Sequence, residues 1–186
     1  MHDNQMNLDN EVKTKKILRE IFSWFMWIGG AVALALILNN TIIVNAKVIS
    51  ESMESTIMTG DRILGSRLSF FFSEPQRSDV IVFDWPDNPN ELPFVKRIIG
   101  LPGEVVEIIN GRIFIDGMLL DESDYLTEGM RGNYGPFSVP EDSFFVLGDN
   151  RRRSDDSRHW ANPFVPREYI LGKVVFRLFP NTGTIN

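Results

Sequence analysis

The chain has 186 residues, with 19 Lys and Arg against 25 Asp and Glu, a formal net charge of −6 at pH 7, no cysteine and two histidines. The acid excess argues against nucleic acid as the main partner, since phosphate binding wants a basic surface, and disfavours acidic substrates for the same reason. The missing cysteines exclude a disulfide framework and any Cys-ligated zinc or iron–sulfur site, and His2 and His159 are too far apart in sequence to form a metal centre without carboxylate help.

At this length there is room for one ordinary domain plus a helix. Residues 1–20 are polar and gather Lys13, Lys15, Lys16 and Arg19 at their end, which reads as a short cytoplasmic tail. From Ile21 to Leu38 the chain is uncharged, and no charge falls between Glu20 and Lys47. At ~1.5 Å per residue this run spans ~27 Å, about the hydrocarbon core of a bilayer, and it predicts a transmembrane anchor over 21–44. Phe22, Trp24, Phe25 and Trp27 stand at its start, where amphipathic rings favour the headgroup level. The basic cluster before them, against Lys47 alone close after, orients the N-terminus to the cytoplasm and the bulk of the chain outside. A cleaved signal peptide has a shorter apolar region of about 7 to 15 residues with a small-residue site behind it, and a soluble core helix is shorter and amphipathic.

Residues 45–186 read as an all-β domain, making the fold mainly β behind one helix. Asp79 to Phe83, Phe94 to Ile99, Glu104 to Ile109, Arg112 to Ile115, Ser143 to Leu147 and Lys173 to Phe179 carry the β-branched and aromatic bias of strands. Asn110-Gly111 suits a type I′ hairpin turn, and Asp116-Gly117 extends the pair to a three-strand meander ending near Leu120. The polar, glycine-bearing stretch 121–142 reads as a loop excursion, so 104–142 form an inserted subdomain.

Just beyond the anchor lies Ser50-Glu51-Ser52-Met53-Glu54-Ser55-Thr56-Ile57, and farther on one lysine sits in an apolar setting, Leu92-Pro93-Phe94-Val95-Lys96. A serine hydroxyl becomes a nucleophile only when a base takes its proton. A lysine serves as that base if burial lowers its pKa from about 10.4 toward 7 or 8. Spacing alone leaves two readings open: Lys96 as a buried base, or Lys96 as an ordinary strand lysine pointing outward.

The ordered motifs narrow the choice. Ser50-x-Ser52-Met53-x-x-Thr56-Ile57, Gly60-Asp61-Arg62-Ile63, the run from Lys96-Arg97 through Gly103-Glu104, and Gly148-Asp149-Asn150-Arg151-x-x-Ser154-x-Asp156-Ser157-Arg158 resemble those of the bacterial type I signal peptidases, behind a similar N-terminal anchor. The resemblance implies Ser52 as nucleophile and Lys96 as general base. It implies an oxyanion hole from the Ser52 N–H and the Ser50 hydroxyl, such donors each being worth ~10²-fold or more. It further implies Ser154 as the residue that orients the lysine, Asp149, Asp156, Arg97 and Arg158 as bracing ion pairs, and Met53 as a wall of the substrate pocket. It implies no cofactor or metal, secretory preproteins cut after small residues of the Ala-x-Ala type, and a catalytic domain on the outer face of the bacterial plasma membrane.

Two positions depart from the family's pattern. Ser55 stands where proline is usual three residues after the nucleophile, which is expected to loosen the turn presenting Ser52, and Ser78 stands where glycine often precedes the aspartate of the next strand. Arg151-Arg152-Arg153, interleaved with Asp149, Asp155 and Asp156, reads as a salt-bridged loop rather than a phosphate or cation site. His159 raises a Ser–His dyad, as in a minority branch of the family, but the context of Lys96 argues for a packed loop residue. Phe70-Phe71-Phe72 are too many consecutive aromatics for a strand with one wet face, and at least one is expected to dip into membrane lipid. Two rival readings are a self-cleaving repressor-like Ser–Lys protease, which the anchor contradicts, and a catalytically weak anchored β-domain binding export or cell-wall partners.

Overall fold

The computed structural model describes residues 2–85, 92–180 and 182–185, with side chains for all of these except 2–14 and 37–41. It divides into two units, residues 1–41 and 42–186. The first is a single α-helix, α1 (His2–Ile42), so the residues expected to form a polar tail continue the helix of the apolar run. Lys15–Leu36 is long and apolar enough to cross a membrane, and its large side chains, Trp24, Phe25 and Trp27 among them, are exposed. The side chains of His2 and Lys13 lie outside the described residues. The helix stops at Ile42, and Ile43 and Val44, read as the end of the span, instead begin the first strand.

The second unit is β-rich, as expected. Its larger sheet joins β1 (Ile43–Lys47), β2 (Arg62–Ser66), β3 (Val80–Phe83), β4 (Phe94–Gly100), β9 (Ser143–Leu147), β10 (Phe164–Pro166), β11 (Ile170–Phe179) and β12 (Gly183–Thr184). The strand order is β1-β2-β11-β3-β4-β9-β10, with β12 also on β11 and every pair antiparallel. β3 is buried along its whole length because it serves two cores. Val80 and Val82 face Met53, Ile57 and Ile63, while Ile81 and Phe83 face Ile98, Phe144 and Val146, the two-sided alternation of a strand covered on both faces. At roughly 1.5–3 kcal/mol per buried large aliphatic or aromatic side chain, these contacts set the sheet's order.

A smaller sheet, β7-β6-β5-β8, is built from β5 (Val105–Ile109), β6 (Arg112–Ile115), β7 (Met118–Leu119) and β8 (Tyr134–Ser138). Val106, Ile108, Ile113 and Ile115 pack with Ile99, Phe145 and Leu147, so β4 and β9 carry one face toward each core. β8 lies in the stretch read as loop; its Gly135-Pro136 pair hides the strand signal, and proline is tolerated there because β8 is an edge. β1, β2 and β10 were likewise not expected. Phe70 to Phe72 are helical, α2 (Ser69–Phe72), with Phe71 and Phe72 each 80% exposed and Phe70 half-buried beneath Arg167.

Both hairpin turns have the expected geometry. Asn110 and Gly111 take φ of 52° and 77°, and Asp116 and Gly117 take 49° and 79°, the left-handed pairs a type I′ turn needs. They differ in surroundings: a Cβ on Gly111 would stand 2.0 Å from the Met130 carbonyl oxygen, whereas Gly117 has nothing within 4 Å. Gly117→Ala is therefore expected to cost about 1–2 kcal/mol, the left-handed penalty alone. Gly111→Ala should cost at least ~2 kcal/mol and lower Tm by roughly 4–8 °C. Thermal unfolding of the two variants beside the wild type checks this; equal Tm values would contradict the packing of Gly111 on Met130.

Candidate active site

Residues 50–57 leave β1 in a series of tight turns. Glu54 N–H donates to the Glu51 carbonyl at 3.1 Å, and Thr56 and Ile57 N–H both donate to the Met53 carbonyl at 3.1 and 2.8 Å. Met53 and Ile57, fully buried with Val48 and Ile63, fasten this turn to the core. Ser52 is 6% exposed, and its Oγ lies 3.2 Å from that of the exposed Ser50. The Ser52 carbonyl accepts the Asn150 N–H at 3.0 Å and faces Gly148, where a Cβ would come within 2.4 Å of it and 2.3 Å of Ser154 Oγ. Only glycine admits the Ser52 turn this close to the chain leaving β9.

Lys96 and Arg97 are neighbours on β4, and both are buried, at 3% and 0% exposed. Arg97 is held on every side: Nε and Nη2 each donate to Asp149 at 2.8 Å, Nη1 donates to the Ser78 carbonyl at 2.7 Å, and the Tyr125 ring covers the guanidinium at 4.1 Å. Ser78 takes a φ of 72°, the region glycine favours, and so aims its carbonyl at Arg97. Thr56 Oγ1 donates to Asp149 at 2.5 Å, joining the Ser52 turn to this pair. Arg158 likewise holds Asp156, through Nε at 2.7 Å and Nη2 at 2.8 Å, while Gly148 N–H donates to the same carboxylate at 3.1 Å. Burial opposes ionisation of Asp156, but the Arg158 guanidinium and the Gly148 N–H outweigh it and hold its carboxyl below the usual range.

Among the described residues Lys96 has no such partner. Its Nζ lies 6.0 Å from the centre of the Phe94 ring, and burial lowers its pKa from 10.5 to about 8, against the opposing charges of Asp156, Asp155 and Asp149 and with help from Arg158. An amine of this kind is neutral in part of the population near neutral pH and can accept a proton. The Ser154 hydroxyl is buried beside Gly148 and helps to hold down the Asp156 carboxyl, and among the described residues the expected bond from it to Lys96 is not formed.

Three segments thus converge, 50–57, 96–97 and 148–158, and they hold every residue to which the family resemblance gives a role, whereas Ser78, His159 and Phe70 to Phe72 lie outside them. Tyr125 was missed, and Thr56 and Gly148 stood in the motifs without a role; their contacts have no short-range signal, since the partners are tens of residues away. Ser55 has a φ of 93°, which proline's ring forbids, so its turn differs in kind from a loosened proline turn; its Oγ donates to the Tyr125 carbonyl at 3.4 Å. The three arginines form ion pairs, Arg151 with Glu122, Arg152 with Glu128 and Arg153 with Glu51. His159 is exposed and sits edge-on to Tyr134. A cleft of about 690 Å³ opens beside the turn, with Glu54 and Ser55 on one side and Thr127 and Glu128 on the other.

The lowered pKa of Lys96 carries a stability cost with a definite sign. Below about pH 8 the folded protein buries an ammonium that the unfolded chain keeps in water, and the shift from 10.5 to about 8 corresponds to about 3 kcal/mol. Between about pH 8 and 10.5 the unfolded state binds the extra proton, so wild-type stability rises through that window. Lys96→Met is expected to be more stable than wild type by up to about 3 kcal/mol at pH 7, with the gap closing toward pH 10.5. Urea unfolding of both proteins at pH 7 and 10 measures the difference; a pH-independent gap would contradict it.

The family model described as signal peptidase, peptidase S26, matches residues 21–179. Signal peptidase I of Leptolyngbya laminosa is 44% identical over 161 residues, covering 82% of this chain and 77% of its own. The probable signal peptidase I-2 of Synechocystis sp. is 36% identical over 186 residues, covering 94% of this chain and 82% of its own. Signal peptidase I S of Bacillus subtilis is 34% identical over 189 residues, covering 94% and 96%. With its motifs gathered around one buried lysine and one buried serine, and with the match running from the helix through β11, the chain belongs to the signal peptidase family, peptidase S26.

Proposed function

We propose that this chain is a membrane-anchored serine endopeptidase that removes N-terminal signal peptides from exported preproteins with a Ser52–Lys96 dyad. The observation that carries the reading is Lys96, buried without an ionic partner and with its pKa brought down to about 8, on the strand that packs beside the Ser52 turn. Neutral Lys96 takes the proton of Ser52 Oγ as that oxygen attacks the scissile carbonyl carbon. The Ser52 N–H and the Ser50 hydroxyl donate to the oxyanion as it forms. The Lys96 ammonium then gives its proton to the departing amine, the C–N bond breaks, and a serine ester remains. Water, deprotonated by Lys96, hydrolyses that ester and restores the enzyme.

The substrate binds extended. β9 pairs with β4 only from Arg97 onward, so Phe94 to Lys96 offer backbone groups on that side to which a peptide strand adds. Main-chain bonds supply affinity, while shallow apolar pockets, one walled by Met53, select small side chains at the first and third positions before the cut. Arg97–Asp149 and Arg158–Asp156 brace the site, and Ser154 orients Lys96 once substrate is bound. The helix holds the enzyme in the bacterial plasma membrane with its N-terminus in the cytoplasm, the side of the basic cluster, and the β-rich unit outside. Phe71 and Phe72, both exposed, rest in the lipid.

Cleavage of a preprotein by the detergent-solubilised enzyme tests this. The wild type should cut after a small residue, with kcat/KM rising with pH to a plateau above about 8 because the base must lose its proton. Ser52→Ala and Lys96→Ala should each lose at least ~10³-fold. Cleavage by either variant at the wild-type rate, or a rate that falls as pH rises through 8, would remove the dyad reading.

A further inference from the structure

We propose that Tyr125 is a positioning residue for the reaction: the loop that carries it clasps all three segments of the site and holds the Ser52 turn in register with Lys96. This rests on the Ser52–Lys96 reading above and goes beyond the residues that reading assigns.

The loop between β7 and β8 belongs to the smaller sheet, yet residues 122–125 reach out of it to the catalytic segments. Tyr125 itself touches two of them. Its ring lies 4.1 Å from the Arg97 guanidinium, next to Lys96 in the chain, and its carbonyl accepts the Ser55 hydroxyl at 3.4 Å, three residues after Ser52. The third contact runs through Glu122, which accepts the Tyr125 hydroxyl at 2.8 Å and two bonds from Arg151 at 3.1 and 2.5 Å. Arg151 Nε in turn donates to the carbonyl of Gly148 at 3.0 Å, the residue on which the Ser52 carbonyl packs. Burial and the neighbouring Glu122 carboxylate push the Tyr125 phenol upward, so it stays protonated and remains a donor.

The physics of the clasp follows from what it covers. Arg97 and Asp149 are both fully buried, and Asp149 also accepts the Thr56 hydroxyl. A charge pair at that depth keeps its geometry only while water is kept out, because a bulk-like dielectric weakens the attraction that aligns it. The Tyr125 ring is a lid over the guanidinium, adding a cation–π contact that is strongest where the cation is desolvated. Removing the ring lets water reach Arg97 and loosens the Asp149 carboxylate that holds Thr56, and the loop, no longer pinned on Arg97, lets its carbonyl move away from Ser55, so that the Ser52 turn drifts. A displacement on the order of 1 Å at a reacting atom costs about 10²-fold in rate.

The test is steady-state cleavage by the full-length enzyme in detergent over pH 6 to 10, comparing wild type, Tyr125→Phe, Tyr125→Leu, Tyr125→Ala and Lys96→Ala. Tyr125→Leu preserves apolar volume without a π face, so it serves even where Tyr125→Ala does not fold. Tyr125→Leu and Tyr125→Ala are expected to lower kcat about 10- to 100-fold with KM changed by less than about threefold. Their pH midpoints should move upward from about 8, as water admitted beside Arg97 also relieves the desolvation of Lys96. Tyr125→Phe alone of the three keeps the ring over Arg97 and should recover most of the rate. Wild-type kcat and an unmoved midpoint in Tyr125→Leu, with Lys96→Ala inactive, would overturn the clasp and leave the dyad standing. An active Lys96→Ala would overturn the dyad and the clasp with it.

Discussion

Lys96 and Arg97 are consecutive, both cationic and both buried, yet the structure treats their charges in opposite ways. Arg97 receives a bidentate carboxylate, a carbonyl and an aromatic face. Its charge is thus compensated where it is buried. Lys96 receives an aromatic ring and no anion in contact. Asp156, Asp155 and Asp149 are the acids that would restore its charge, but Asp156 is engaged by Arg158 and Gly148, Asp149 by Arg97 and Thr56, and Asp155 is exposed to water. Their attraction for Lys96 persists only at long range, where it offsets part of the desolvation. By occupying two of these carboxylates the arginines leave the lysine amine to the effect of burial, which lowers its pKa.

The rest of the fold provides room for this arrangement. Strands β3, β4 and β9 are apolar on both faces because each lies between two cores, and that burial is what withdraws Lys96 and Arg97 from water at their position on β4. Gly148 ends β9 at the one place where the Ser52 turn can approach, since any side chain would overlap the Ser52 carbonyl and Ser154 Oγ. The smaller sheet shares its core with β4 and β9 and also sends a loop back over Arg97, so it touches the site from below through packing and from above through Tyr125.

Much of this was legible in the sequence, for identifiable reasons. The apolar run around Trp24 and Trp27 and the β-branched runs of β3, β4, β5, β6 and β9 are dense local signals, and Asn110-Gly111 and Asp116-Gly117 are turn pairs whose φ requirement few residues meet. β1 was absorbed into the apolar span because Ile43 and Val44 extend it without a charge, β2 carries Gly65 at its centre, and β8 carries Gly135-Pro136. Ser52 and Lys96 were singled out only through the ordered motifs; spacing alone favoured Lys96 as an outward-pointing strand lysine, because what buries it is the packing of segments distant in the chain. Tyr125 had no local signature at all. It lies in a polar stretch whose contacts are with residues 28 to 70 positions earlier.

Ser55 joins these threads. A proline three residues after the nucleophile would stiffen the turn through its own ring, by fixing φ near −65°. This chain has a turn in which that position sits at +93°, a conformation closed to proline and strained for any residue but glycine. The turn's backbone bonds and the buried Met53 and Ile57 hold it in place, and the Ser55 hydroxyl bond to the Tyr125 carbonyl adds a restraint from outside. The identity of residue 55 and the reach of the 122–125 loop are therefore two halves of one solution. Restoring proline alone at position 55 would remove the hydroxyl tie while demanding a backbone angle the turn does not have.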